Sequence, residues 1–123
     1  MPMNYEQRAA QIWSVLVLAA RNQQVLSYLQ MESMTGLPKH LMAPILGKIE
    51  RYCDIKHLPK LTAILVNEKD GVPGYLYPGY ADDRNPGDEM YVQLFKEQSR
   101  VFIFDWLKGG APSEEELRSD SAS

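Results

Sequence analysis

"SYLQMESMTGLPKHLMAPILGKIERYC", residues 27–53, is the stretch whose reading decides the fold. Ser27 stands where a helix N-cap is wanted, so a short helix is expected over residues 28–34. Gly36 is placed to stop that helix in a left-handed conformation. "GLPKHLMAP" then reads as a turn-rich connector. A longer helix is expected from Pro44, because proline suits the first helical position and harms an interior one. Over residues 44–53 it turns Ile45, Leu46, Ile49 and Cys53 inward and Lys48, Glu50 and Arg51 outward. A short helix, a glycine turn and a longer helix are the parts of a helix-turn-helix.

Upstream, Tyr5, Ala9, Ile12, Trp13, Leu16, Val17 and Ala20 recur at spacings of three and four, which predicts a helix over residues 4–20 capped by Asn4. Downstream, "LTAILV" at residues 61–66 is short, partly β-branched and apolar throughout, as a strand covered on both faces would be. "EKDG" follows as a hairpin turn, and "VPGYLYPGY" as a return strand weakened by Pro73 and Pro78. "ADDRNPGDE" reads as a solvent loop. Asp88 is a candidate cap for another helix with Tyr91, Leu94, Phe95 and Gln98 along one side, and "RVFIFDW" reads as a final strand or packing arm. From Gly109 the composition is that of a flexible acidic tail, with "SEEELR" able to form one helical turn. The expected fold is therefore α+β and winged-helix-like: three N-terminal helices, a β-hairpin, a further helix and a short C-terminal strand. It forms one domain over residues 1–108, with a tail over 109–123.

Composition narrows the function. The chain has 123 residues, 45% hydrophobic and 24% charged, enough for one modest core. Cys53 is the only cysteine, which excludes an intramolecular disulfide and a four-cysteine zinc site. No signal peptide and no apolar run of about 20 residues is visible, so a cytoplasmic protein with no membrane contact is expected. The net charge of −3 argues against an indiscriminate phosphate binder, but it is unevenly spread. Residues 36–60 hold five basic side chains against two acidic ones. Residues 68–89 hold two against six, and the tail one against four.

The runs "IWSVLVLAARNQQVLSYLQMESMTGLP", "LGKIERYC" and "LPKLTAILVNEKDGVPG" resemble a bacterial domain found alone or ahead of HNH endonuclease domains. The matching positions are Trp13, Ser27, Tyr28, Gly36, Leu46, Ile49, Tyr52, Cys53, Leu58, Pro59, Leu61, Thr62, Val66, Asn67, Gly71, Pro73 and Gly74, with "FDW" at residues 104–106 as a later echo. A more distant likeness is to the DNA-binding domain of alkylguanine-DNA alkyltransferases, which share the order of Trp helix, Tyr helix, glycine turn, helix, strand and glycine wing. Their Pro-Cys-His-Arg motif is absent, and "LPKLTAIL" stands in that region. The resemblance implies a winged-helix domain, nucleic-acid association linked to bacterial defence or phage, and no alkyl transfer.

Several residues are candidates for chemistry. Cys53 and His57 could form a thiolate–imidazole pair, but Cys53 lies on the inward stripe, and the packing reading is preferred. His40, Cys53 and His57 match no zinc spacing, and Asp82, Asp83, Asp88 and Glu89 match no EF-hand loop. No catalytic constellation emerges, and no cofactor is expected. Lys39, His40, Lys48 and Arg51 surround the presumed recognition helix, where a helix-turn-helix would aim them at phosphates and base edges. The other reading is an ordinary solvated face. Tyr75, Tyr77 and Tyr80, in an acidic wing, are candidates for contact with a protein partner, since tyrosine supplies rigid amphipathic area, the acidic surface then acting as a phosphate mimic; the other reading is wing packing onto the core. The expected function is thus a non-enzymatic domain that binds DNA weakly, the alternative being a protein-interaction module.

Overall fold

A computed structural model describes residues 4–74 and 88–118. The first helix, α1, spans Tyr5–Arg21, and the Asn4 side chain accepts a hydrogen bond from the Gln7 N–H at 2.9 Å, capping it as expected. Of its expected apolar stripe, Ala9, Ile12, Trp13, Leu16, Val17 and Ala20 are buried, and Tyr5 at the N-terminal end is exposed. Leu26–Ser27 forms a short strand, β1, that leads directly into α2, Tyr28–Thr35. Ser27 and Gln30 close a reciprocal capping box, which satisfies two amides that the first turn would otherwise leave open. Gly36, at φ 73°, ends α2 by returning its N–H to the Glu32 carbonyl, a left-handed step that a Cβ would disfavour.

The next helix corrects the sequence reading. α3 spans Lys39–Ile55, beginning five residues before Pro44 rather than at it. Pro38, extended at φ −62° and ψ 148°, sets the start, and Pro44 lies inside the helix. Pro44 brings no N–H for the His40 carbonyl. Both residues are on the solvent face, so that carbonyl can be hydrated instead of stranded in the core. Ile45, Leu46, Ile49 and Cys53 are buried as expected, while Glu50 is half-buried rather than outward. Burial pushes the Glu50 carboxyl above its usual range, with Thr62 and Lys60 acting against the shift.

The expected strand over residues 61–66 is also corrected. Leu61–Ile64 is a 3₁₀ turn, and only Leu65–Val66 is extended, as β2. β2 pairs in parallel with β1, Leu26 opposite Leu65 and Ser27 opposite Val66. An all-apolar run has no period with which to separate a buried strand from a buried turn. Here the turn sits among α1, α3 and α4 (Asp88–Ile103), and among the described residues no strand lies beside it to complete a ladder. Its backbone is satisfied by other means. Ala63 N–H bonds to the Lys60 carbonyl at 2.9 Å, Gln98 Nε2 donates to the Ala63 carbonyl at 2.9 Å, and Lys60 N–H bonds to Glu97 at 2.6 Å. Among the described residues, the expected hairpin is present as an antiparallel bridge, Val66 to Pro73, closed by the Asn67 N–H to Val72 carbonyl bond. The rest of the return segment lies outside the described residues.

Met90, Leu94, Gln98 and Val101 form the buried stripe of α4, and Tyr91 is half-buried. Phe95, expected on that stripe, is 57% exposed. The expected final strand is instead the last turn of α4, followed by a bend that inserts Trp106 into the core. The indole of Trp106 donates to the Val101 carbonyl at 2.7 Å. Within the segment read as a tail, a five-residue helix, α5, spans Glu114–Arg118 and buries Leu117 against α1 and α3. The architecture is α-rich with a small two-stranded sheet. Among the described residues, no helix is long and apolar enough to cross a membrane.

Cys53 is fully buried, and burial pushes its thiol from an ordinary 9.0 up to about 11. His57, exposed and at φ 57°, follows the end of α3. A sealed thiol held protonated by burial lacks the exposed, activating setting that a catalytic cysteine needs. A thiol reagent at pH 8 is therefore expected to label native protein slowly and unfolded protein rapidly, and fast native labelling would contradict this packing. The sign of the linkage is fixed by the raised value. The thiol's contribution to stability is fully present below its ordinary value and is lost as pH rises towards about 11.

Candidate nucleic-acid interface

The candidate interface is built by the α2–turn–α3 unit. Three residues, Gly36, Leu37 and Pro38, separate the two helices. Met31, Thr35, Leu37, Met42 and Ile45 are buried along the inner side of this unit. Thr35 fixes the turn: its hydroxyl donates to the Met31 carbonyl at 2.7 Å and accepts from the Leu37 N–H at 3.2 Å. Arg8 of α1 donates to the Thr35 carbonyl at 3.1 Å, so the turn is anchored to the first helix as well. This leaves His40, Ala43 and Pro44 exposed on the outer face of α3, with Gly47 partly so.

The N-terminus of α3 has unusual chemistry. Its N-cap residue, Pro38, has no side chain able to accept from the first-turn amides, and no acidic residue occupies that turn. Lys39 and His40 occupy it instead, both exposed. The Lys39 ammonium lies over the Tyr28 ring, 5.0 Å from its centroid, which holds it at the junction of α2 and α3. Two cationic or donor side chains therefore stand beside amide N–H groups at the positive end of a helix dipole.

Tyr28 links this corner to the segment after β2. It is 6% exposed, and its hydroxyl accepts from the Gly74 N–H at 3.0 Å. A Cβ on Gly74 would collide with that hydroxyl, so the close approach of backbone to ring requires glycine. Burial first, then the Glu50 and Glu68 charges, push the phenol above its ordinary value, against the pull of the Gly74 N–H. Glu68 also accepts from the Leu29 N–H at 3.1 Å. The turn after β2 is thus tied to the start of α2.

The four basic candidates do not form one patch. Lys39 and His40 are adjacent at the start of α3. Lys48 points elsewhere: its ammonium is 3.0 Å from Glu6 of α1, with the two side chains only 14% and 17% exposed. Its assignment to the outward face is corrected accordingly. At 100° per residue Lys48 stands at the edge between the outer and inner faces of α3, within reach of α1. The same Glu6 meets Arg118 at 3.6 Å, and the hydrogen bond from Lys48, foremost, holds its carboxyl below the usual range. Arg51 is half-buried and already engaged. Tyr75, Tyr77 and Tyr80 lie outside the described residues, as do Asp82 and Asp83. Among the described residues, no three His, Cys, Asp or Glu side chains come together as a metal site.

A second feature escaped the sequence reading. Trp13, Tyr52, Phe104 and Trp106 meet edge to face at the C-terminal end of α3. Trp13 and Tyr52 are 39 residues apart and Trp106 another 54 beyond, so no local period joins them. The density of aromatics in "FIFDW" is the one local signal that points towards it. No family model, curated protein or solved structure matches the chain.

Proposed function

We propose that this protein is a helix-turn-helix, winged-helix-like nucleic-acid-binding domain without catalytic activity, and that it meets the phosphate backbone through the N-terminus of α3. The observation that carries this reading is the acid-free first turn of α3, bearing Lys39 and His40 and held outward by a three-residue turn. Phosphate oxygens are bound by lysine, by imidazole and by the amides at a helix N-terminus. The small exposed side chains of Ala43, Pro44 and Gly47 leave the adjoining face able to approach a duplex closely. The acidic balance of residues 68–89 limits affinity to about the micromolar range at physiological salt, close to non-specific binding.

A variant set tests the assignment. Changing Lys39→Ala together with His40→Ala is expected to weaken binding to duplexes of every sequence alike and to flatten the salt dependence by about one unit per lost contact. Lys48→Ala is expected to leave binding nearly unchanged and instead to lower stability, because it leaves Glu6 with only its longer contact to Arg118. Fluorescence anisotropy of a labelled duplex, beside denaturant melts of each variant, separates the two effects. Equal loss of binding in both variants would place the contact surface elsewhere on α3.

A further inference from the structure

A second site lies at the far end of α3, and it stands independently of the nucleic-acid reading. A cavity of about 610 Å³ opens between the last turn of α3 and residues 104–116. That volume falls in the range of small-molecule sites. Its apolar wall is a chain of rings. Tyr52 meets Trp13 at 5.5 Å and 88°, Trp13 meets Trp106 at 5.6 Å and 83°, and Trp106 meets Phe104 at 4.6 Å and 62°. Trp13 and Trp106 are nearly sealed, whereas Tyr52 is half-buried and Phe104 is 37% exposed. The two outer rings therefore still present surface to an occupant.

The charges at the mouth decide what that occupant is. Two carboxylates and two ammonium groups line it, and each carboxylate is engaged by a backbone N–H. Glu116 accepts from the Ser113 N–H at 2.9 Å, and that bond is the main reason its carboxyl lies below the usual range. Asp105 accepts from the Leu107 N–H at 3.2 Å. Lys56 has only a loose, exposed contact with Glu116 at 3.8 Å, and Lys108 has no ion-pair partner among the described residues. Lys108, and Lys56 beyond its loose contact with Glu116, are the charged groups best able to meet an occupant, above an aromatic wall. We propose that this cavity binds a small planar aromatic anion, its ring against Tyr52 and Phe104 and its carboxylate or phosphate between Lys56 and Lys108.

Isothermal calorimetry of the intact chain with 2-naphthoate, and with 2-naphthylmethylamine as its cationic counterpart, tests this. The naphthoate is expected to bind at one site, and the amine about tenfold more weakly. The Lys56→Ala, Lys108→Ala double variant is expected to lose about tenfold in naphthoate affinity with an unchanged circular dichroism spectrum, since both side chains lie at the surface. Equal binding of the two probes would show an unselective greasy cleft and overturn the proposal. So would an unchanged affinity in the double variant, or no binding of naphthoate at all.

Discussion

Trp106→Ala is expected to destabilise the protein by about 3–5 kcal/mol, measured as a fall in the midpoint of denaturant unfolding. The indole is 4% exposed and lies between Trp13 of α1 and Phe104. Its removal takes away both edge-to-face contacts and leaves a cavity that the fixed helices cannot close. It also leaves the Val101 carbonyl without its 2.7 Å donor. A loss of this size from one residue after α4 would show that the segment beyond that helix is part of the core. A change below about 1 kcal/mol, the range of surface substitutions, would mean that Trp106 does not pack as described.

Leu117→Ala is expected to cost about 2–4 kcal/mol, although it falls in a stretch with the composition of a tail. Leu117 is 1% exposed, held by a one-turn helix whose start is closed by a capping box. Ser113 accepts from the Glu116 N–H at 3.1 Å, and Glu116 accepts in return from Ser113. Arg118 and Glu116 add surface pairs to Glu6 and Lys56, each worth little at such exposure. The contrast to run alongside is Glu115→Ala, an exposed change in the same turn that should move stability by no more than about 0.5 kcal/mol. If both variants melt like the parent, α5 contributes nothing to the fold. The cap also has a pH signature. Because the Glu116 carboxyl is held below its ordinary value, its contribution is present above that value and is lost as pH falls through the lowered one.

These two residues show what the sequence could and could not reveal. α1 and α2 were legible because each carries its own start signal, Asn4 or Ser27, and α2 a glycine stop. Their boundaries depend on neighbours within four residues. α3 was misplaced at its start because Pro44 was given the role of an N-terminal residue, when Pro38 already filled it. Nothing local says which of two prolines sets the helix boundary; solvent exposure of the second allowed the helix to run through it. The run at residues 61–66 failed differently. Its burial was clear from composition, but the choice between strand and 3₁₀ turn was made by Gln98 and Glu97, which lie more than 30 residues away and supply the missing hydrogen bonds.

The capping box at Ser113 and Glu116 was readable in "SEEELR" and was outweighed by the surrounding Gly, Ser and acidic composition. At the candidate interface, Lys39 and His40 were placed correctly in sequence but on a connector rather than on the helix itself. The partner of Lys48 was hidden because Glu6 is 42 residues away on α1. The aromatic cavity was invisible for the same reason, being assembled from three separated segments.

The central claim is that the start of α3 meets phosphates, and the salt dependence of duplex binding by the unmodified protein tests it most directly. Phosphate contact releases counterions, so the logarithm of the association constant must fall linearly with the logarithm of salt concentration. For contacts by Lys39 and His40 the slope is expected to be about −2, with binding measurable at about 50 mM salt and near micromolar at best in physiological buffer. Binding whose strength does not change with salt, or no binding to duplex at low salt, would contradict the account.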